Sequence, residues 1–211
     1  MKKLLTCCLL SCSILILPSC EFIHNDNNNT EYTITTATPV PHYSRTDIAL
    51  KAMDEKLAER ETKENKKEWF IEYKELYNEY SDVLEYQPVL ADFYTTEEIQ
   101  KLYGVVEAEV DDLGGFDERC NVVSVIFNRV ANERFSDKLS DLLIPRQFST
   151  IKNGRYKTMT ITDDTILACQ YVLLFGDTAQ GCLFFEGGKS NIHSKYATYI
   201  FTDRSGHKFY K

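Results

Sequence analysis

A stripe of apolar residues interrupted by one carboxylate distinguishes the stretch from residue 96 to residue 113. Its apolar members are separated by three, four and seven positions, the spacing of one buried helix face: Ile99, Leu102, Val106 and Leu113. Glu109 falls on the same face, whereas Glu107 lies about 200° around the helix and is predicted to face water. An acid on an apolar face costs free energy unless it is paired, protonated or beside a cleft. Glu109 is therefore either a proton donor with a raised pKa or a structural glutamate bound by an arginine or by backbone amides, unless the helix ends before it.

Cap and turn residues place further elements after this helix. Thr95 and Glu98 have the capping-box spacing that begins a helix, and Gly114-Gly115 ends it. The predicted elements that follow are helices at about 121–132 and 162–175 and short strands at 182–186, 196–201 and 207–210. Helices followed by a small antiparallel sheet predict an α+β domain, here residues 88–211.

A second amphipathic pattern precedes this domain, in a helical region at 46–87. Its strongest part is an aromatic-rich face with steps of four and three: Trp69, Tyr73, Leu76, Tyr80 and Val83. A charged run at 59–68 separates that face from a weaker pattern at its start, and Pro88 ends the region. A long helix here could pack on the following domain, self-associate through residues 69–84, or stack its aromatic rings on sugars.

The first residues have the organisation of an export signal. Two lysines precede an apolar run at 4–17, which is shorter than a typical membrane-spanning helix. The segment ends at Ser19-Cys20, which resembles a bacterial lipobox and implies lipid attachment to Cys20. Pro18 is unusual there, so ordinary cleavage or an uncleaved anchor remains an alternative to the lipoprotein signal at 1–20. Residues 21–45, rich in Asn, Thr and Ser, are predicted to be a flexible tether.

Charge and cysteine content exclude some classes of function. The formal net charge of −8 argues against a nucleic-acid partner, which would need basic patches. Three cysteines lie beyond the signal, Cys120, Cys169 and Cys182, and an odd number cannot all form internal disulfides. No Cys or His spacing typical of a metal site is present, and no cofactor is predicted.

Residues 98–210 resemble the catalytic domain of the SleB-type cell wall hydrolases. Five segments in order carry the resemblance: Val105-Val-Glu-Ala-Glu109, Val122-Val-Ser-Val-Ile-Phe-Asn-Arg-Val130, Gln147-Phe-Ser149, Gly181-Cys-Leu-Phe-Phe185 and Gly206-His-Lys-Phe-Tyr210. The resemblance implies a compact lysozyme-like fold, and it implies that Glu109, the glutamate of the Ala-Glu pair, is the catalytic acid. Helical periodicity selects the same residue independently.

The resemblance also implies a substrate and a reaction. The substrate would be peptidoglycan, cleaved between N-acetylmuramic acid and N-acetylglucosamine by lytic transglycosylase chemistry that leaves 1,6-anhydro ends. Six residues are candidates for the glycan groove: Asn128, Gln147, Ser149, Tyr156, Glu186 and His207. Glu186 stands where relatives often carry His-Asn, and it could raise the pKa of Glu109 or hold a water for hydrolysis. Arg129 could instead be the partner of a structural Glu109, and His207 could simply close the fold.

Three other functions compete with the transglycosylase. A muramidase of the same fold would hydrolyse the bond rather than form an anhydro end. A Cys–His amidase or peptidase would use Cys120, placed just before a helix, with His193 or His207 as its base. A non-enzymatic envelope lipoprotein would bind glycan through a degenerate site.

Overall fold

The computed structural model describes residues 43–188 and 190–211, apart from the side chain of Leu113. The predicted signal at 1–20, including Cys20, and nearly all of the predicted tether lie outside the described residues. The helices are α1 (Arg45–Glu59), α2 (Lys66–Glu79), α3 (Thr96–Val110), α4 (Phe116–Val130), α5 (Leu139–Leu142), α6 (Ser149–Lys152) and α7 (Asp163–Phe175). The strands are β1 (Phe184–Glu186), β2 (Tyr199–Thr202) and β3 (Lys208–Tyr210). None of the described helices combines the length and the apolar character that crossing a membrane requires.

Local signals in the sequence define both ends of α3. The Thr95 hydroxyl accepts a hydrogen bond from the Glu98 backbone amide (3.3 Å), and the Glu98 carboxylate accepts one from the Thr95 amide (3.0 Å). The predicted capping box is therefore confirmed. At the other end, Asp111 adopts φ 59°, a left-handed conformation that stops the α-helix after Val110. Glu109 consequently lies in the last turn of α3.

Helix α4 begins five residues before the predicted position. Glu118 explains the difference, because its carboxylate accepts a hydrogen bond from the Gly115 backbone amide (2.8 Å) and so caps the additional turn. Helix α7 begins at Asp163, with Thr162 as its N-cap, within one residue of the prediction. The main core lies where α3, α4 and α7 pack together, and it includes Leu102, Val105, Val106, Val122, Val123, Ile126 and Cys169.

The prediction of one long amphipathic helix is wrong in one respect, because the structure contains two helices there, α1 and α2. The Asn65 side chain caps the start of α2 by accepting from the Glu68 amide (3.1 Å), and this separates α2 from α1. The Trp69 indole donates to the Lys56 carbonyl of α1 (2.9 Å).

The aromatic face of α2 packs on α7 of the following domain, as the first of the three alternatives predicted. Trp69 and Phe70 are fully buried, and their rings contact Tyr171 and Phe175 of α7 at centroid distances of 5.3–6.3 Å. These buried rings cannot stack on sugars, so that interpretation is wrong for them. Self-association through residues 69–84 stays a prediction.

The three strands form one antiparallel sheet in the order β1-β3-β2. Phe209 of β3 pairs with Phe185 of β1 and with Phe201 of β2, whose ring stacks on it at a centroid distance of 4.6 Å. Each strand is shorter than predicted, but the order of elements is the predicted one. The α+β class, helical with a small antiparallel sheet, is confirmed.

Candidate active site

Glu109 lies where α3 meets α6, and few groups stabilise the charged form of its carboxylate. One carboxylate oxygen, Oε1, accepts a hydrogen bond from the Thr150 hydroxyl at 2.6 Å. Burial raises the pKa of Glu109 above its usual value, and the hydrogen bond from Thr150 and the charges of His207 and Arg155 offset this only in part. Glu109 is partly exposed, and it forms no ion pair with any described residue. It is therefore a carboxyl group that keeps its proton to higher pH and remains accessible to a ligand.

The prediction that Glu107 faces water is wrong. Only 3% of Glu107 is exposed, and its Oε1 pairs with the Arg119 guanidinium at 2.5 Å. Its Oε2 accepts from the Thr162 amide (3.1 Å), the Thr162 hydroxyl (2.8 Å) and the Thr165 hydroxyl (2.5 Å). Burial alone would raise the pKa of Glu107, but these hydrogen bonds lower it below its usual value. The structural, arginine-bound glutamate that the sequence allowed is thus Glu107.

Arg129 is buried beside Glu109 without forming an ion pair with it. Its guanidinium donates to the Leu183 carbonyl (2.7 Å) and to the Gln147 side-chain oxygen (3.4 Å). Its guanidinium carbon also lies 5.4–5.7 Å from three aromatic ring centroids, those of Phe135, Phe148 and Phe184. Burial lowers the pKa of Arg129 to about 10, so the group still carries its charge at neutral pH. The predicted alternative of a Glu109–Arg129 pair is not what the structure contains.

The segment from Gln147 to Tyr156 packs against α3 and contacts Glu109 through Thr150. Gln147 lines a cavity of about 540 Å³, and Ser149 is exposed at the start of α6, next to Thr150. Tyr156 lines a different cavity of about 380 Å³, where its backbone packs against α3 at Gly104. A Cβ atom at Gly104 would lie 2.5 Å from the Tyr156 carbonyl oxygen, so this close approach requires glycine.

Glu186 does not act on Glu109 in the way the sequence suggested. Only 7% exposed, it accepts from the Tyr210 hydroxyl (2.6 Å), the Ser190 hydroxyl (3.1 Å) and the backbone amides of Ile192 (2.8 Å) and His193 (3.1 Å). Burial raises its pKa, but these donors more than compensate, so the pKa of Glu186 is lowered. The carboxylate fastens the segment after β1 to the sheet.

Asn128 is likewise occupied by a structural contact. Its side-chain amide donates to the Asp177 carboxylate (3.1 Å) and to the Cys182 carbonyl (3.2 Å). These bonds hold the connection between α7 and β1, and none of them reaches Glu109.

His207 lies close enough to Glu109 for its charge to lower the pKa of that acid. Its ring is 8% exposed, packs edge-on against Phe185 (5.6 Å between centroids), and hydrogen-bonds through Nδ1 to the Ser205 hydroxyl at 2.7 Å. Asp203 accepts from the His207 backbone amide (2.9 Å) and from the Ser205 hydroxyl (2.8 Å). His207 therefore closes the β2–β3 turn and also contributes to the electrostatic environment of Glu109.

The Cys–His alternative is wrong because Cys120 is inaccessible. Cys120 is 2% exposed inside α4 rather than before it, and burial raises the pKa of its thiol well above the usual value. His193 is half-buried against the Phe184 ring (5.1 Å between centroids) and bonds to the Tyr196 hydroxyl (2.5 Å). Within residues 43–188 and 190–211, no three His, Cys, Asp or Glu side chains are placed to hold a metal ion.

Thr150 was not predicted from the sequence, and neither were Arg134 and Arg146, which line the cavity with Gln147. Thr150 is 5% exposed and follows Ser149, the last residue of the matching Gln147-Phe-Ser149 segment. The side chain that touches Glu109 is therefore one position beyond that segment.

Two solved structures are similar to this chain. The catalytic domain of the germination-specific lytic transglycosylase SleB from Bacillus anthracis is 21% identical, with a TM-score of 0.49, over 57% of this chain and 98% of that one. The catalytic domain of the Bacillus cereus SleB protein is 21% identical, with a TM-score of 0.48, over 56% of this chain and 92% of that one. No protein-family model and no curated protein matches the sequence. Both structures are SleB catalytic domains, the group indicated by the five sequence segments.

Proposed function

We propose that this chain cleaves peptidoglycan as a lytic transglycosylase, with Glu109 as its acid and then its base. The observation that carries the proposal is the surroundings of Glu109: partly exposed, raised in pKa by burial, held through Oε1 by Thr150, and without an ion pair among the described residues. The motif resemblance of residues 98–210 supports the same acid and the same substrate.

The reaction needs one carboxyl group in two protonation states. Protonated Glu109 donates to the oxygen that links C1 of N-acetylmuramic acid to N-acetylglucosamine, and the C1–O bond breaks through an oxocarbenium-like transition state. The resulting Glu109 carboxylate removes the proton from the muramyl 6-hydroxyl, whose oxygen bonds to C1. The product is a 1,6-anhydro end, and Glu109 regains its proton. A raised pKa favours the first step at neutral pH.

The neighbouring carboxylates support a single-acid route. Glu107 is paired with Arg119, Asp111 is paired with Arg155, and Glu186 accepts four hydrogen bonds. The usual hydrolytic mechanism uses a second carboxylate, either as the base that activates a water or as the nucleophile. Each of these three acids is instead engaged by donors that lower its pKa and weaken it as a base.

The test is to incubate purified protein with peptidoglycan sacculi and to identify the soluble products by mass spectrometry. We expect 1,6-anhydro-muropeptides from the parent chain and at least a hundredfold slower release from Glu109→Gln, since general acid–base catalysis contributes about 10²–10⁴-fold. Glu75→Gln, an exposed glutamate of α2, is the matched control and should keep the parent rate. Reducing ends would indicate a muramidase, and no release would indicate a glycan-binding protein; either result refutes the transglycosylase.

The proposal places the domain outside the cytoplasm, where peptidoglycan lies, anchored by lipid on Cys20 and extended by the tether at 21–45. Two acyl chains on one cysteine bury enough CH₂ groups, at about 0.8 kcal/mol each, for stable membrane attachment. Mass spectrometry of the N-terminal peptide should find the acyl groups on Cys20. Cys20→Ser should move the protein from the membrane fraction to the soluble fraction, and an unchanged fractionation would refute the anchor.

A further inference from the structure

The cavity of about 540 Å³ beside Gln147 combines aromatic walls with two arginines. Its wall includes Arg134 and Arg146, from the connections that flank α5, together with Phe135, Phe184 and Tyr196. Tyr196 is 62% exposed, and the Arg134 guanidinium carbon lies 5.9 Å from the Phe184 ring centroid. Sugar and peptide groups can lie against such rings while a charged substituent reaches the arginines.

The two arginines outnumber the one carboxylate in the wall of this cavity, Asp141. Neither forms an ion pair within residues 43–188 and 190–211, although the chain has 32 Asp and Glu residues. Asp141, a carboxylate in the same wall, accepts a hydrogen bond from the Ser136 hydroxyl (2.8 Å). The buried Arg129 lies behind the Phe135 and Phe184 rings and adds a further positive charge without a carboxylate partner in the described chain. The cavity is thus cationic on a protein of net charge −8, which suits an anionic ligand.

The cavity lies near the proposed catalytic acid without containing it. Glu109 is not part of the wall, but Gln147 is, and Gln147 is three residues before Thr150, which bonds to Glu109. Three residues span at most about 11 Å of chain. A substituent close to the sugar cleaved at Glu109 can therefore reach the cavity. This nearness favours a group attached to the glycan over a free solute.

We propose that this cavity binds the peptide stem of the glycan, with Arg134 and Arg146 recognising the α-carboxylate of its second-position D-glutamate. The inference rests on the proposed function for its substrate and adds a preference within it. That carboxylate is the first free anionic group along the stem from the muramyl sugar, so it fits the short reach. Guanidinium groups bind carboxylates through charge-assisted hydrogen bonds.

The test compares two muramyl dipeptides that differ at one group. In both, the γ-carboxyl group of the second residue is capped as its methylamide, because in the stem it is in amide linkage; one ligand carries the free α-carboxylate of D-glutamate, and the other carries the α-amide of D-isoglutamine. Each ligand is titrated into the full-length chain, and its dissociation constant is measured by ligand-observed NMR. We expect the carboxylate form to bind about tenfold more tightly than the amide form. The preference should shrink as salt rises, because the arginines are exposed.

Variants connect the preference to the cavity. Arg134→Gln and Arg146→Gln should each reduce the preference about threefold, and together they should abolish it. Arg45→Gln is the matched control, because Arg45 lies on α1 and pairs with Asp82, and it should leave the preference intact. On sacculi, the double variant should raise KM for stems that carry glutamate while kcat stays within about twofold.

The outcomes separate this inference from the proposed function. Equal affinity for the two dipeptides, no binding of either at millimolar concentration, or a preference that survives the double variant would overturn the cavity assignment even if sacculi are cleaved. A clear preference in binding together with no cleavage of any sacculi would retain the cavity and refute the transglycosylase.

Discussion

Glu107 and Glu109 lie two residues apart on α3, yet the same substitution to glutamine should have opposite effects on them. Glu107→Gln removes the charge that pairs with Arg119, a guanidinium that is only 5% exposed. Removing one partner of a buried ion pair costs about 3–5 kcal/mol, because the remaining charge stays buried. For a domain of this size, about 2–4 °C is lost per kcal/mol, so Tm should fall by roughly 6–20 °C.

Glu109→Gln should not destabilise the fold. Burial raises the pKa of Glu109, which means that folding disfavours its charged form. A neutral glutamine of the same shape removes that unfavourable contribution, so the variant should be at least as stable as the parent at neutral pH. Its loss should instead be catalytic, at least about a hundredfold in release from sacculi.

The pH dependence of stability distinguishes the two residues further. The pKa of Glu107 is lowered in the folded state, so its contribution is present above the unfolded value of about 4.3 and is lost as pH falls through the folded pKa. The pKa of Glu109 is raised, so its contribution is present below about 4.3 and is lost as pH rises through the folded pKa. Relative to the parent, Glu107→Gln should therefore be least harmful in acid, and Glu109→Gln should gain stability towards neutral pH.

The assay is urea unfolding at a series of pH values from 3.5 to 8, monitored by the fluorescence of Trp69. Trp69 is the single tryptophan of the chain and is fully buried, so its emission should report loss of the core. Glu75→Gln again serves as the control and should unfold at the parent midpoint. A Glu107→Gln midpoint equal to that of the parent, or a Glu109→Gln protein as unstable as Glu107→Gln, would refute the assignment of roles.

Three further substitutions test the site and its support. Thr150→Val removes a hydrogen bond that lowers the pKa of Glu109, so the alkaline limb of the kcat/KM profile should move to higher pH; Thr150→Ser should restore it, and an unmoved limb would contradict the contact. Gly104→Ala places a Cβ 2.5 Å from the Tyr156 carbonyl oxygen and should cost about 1–3 kcal/mol in urea unfolding, whereas an unchanged midpoint would deny the close packing. Trp69→Ala should cost about 3–5 kcal/mol by calorimetry, and a loss below 1 kcal/mol would show that α2 adds little to the core.

The sequence predicted Glu109 as the acid, which stays a prediction, and it wrongly assigned Glu107 to water; the packing of α3 explains the error. Periodicity assumes that a helix buries one face and exposes the opposite one. Helix α3 packs against α4, α7 and the turn at Arg155–Lys157, so residues 104–108 are buried all round. Glu107 therefore meets Arg119 and Thr165 on a side that the pattern assigned to water. The partners of Glu107 come from 12 and 58 residues away, and no local pattern encodes such contacts.

The number of hydrogen-bond donors around each carboxylate separates the proposed acid from the structural ones. Glu107 and Glu186 each accept four hydrogen bonds within the described residues, whereas Glu109 accepts one, from Thr150. Each donor stabilises the charged form and lowers the pKa, so a carboxylate with four donors binds a proton weakly and one with a single donor binds it strongly. In the sequence Glu186 follows an aromatic pair, and it was predicted either to raise the pKa of Glu109 or to hold a water for hydrolysis. These donors come from tertiary contacts, and the single donor at Glu109 favours its proposed role as a group that gives up a proton and takes it back.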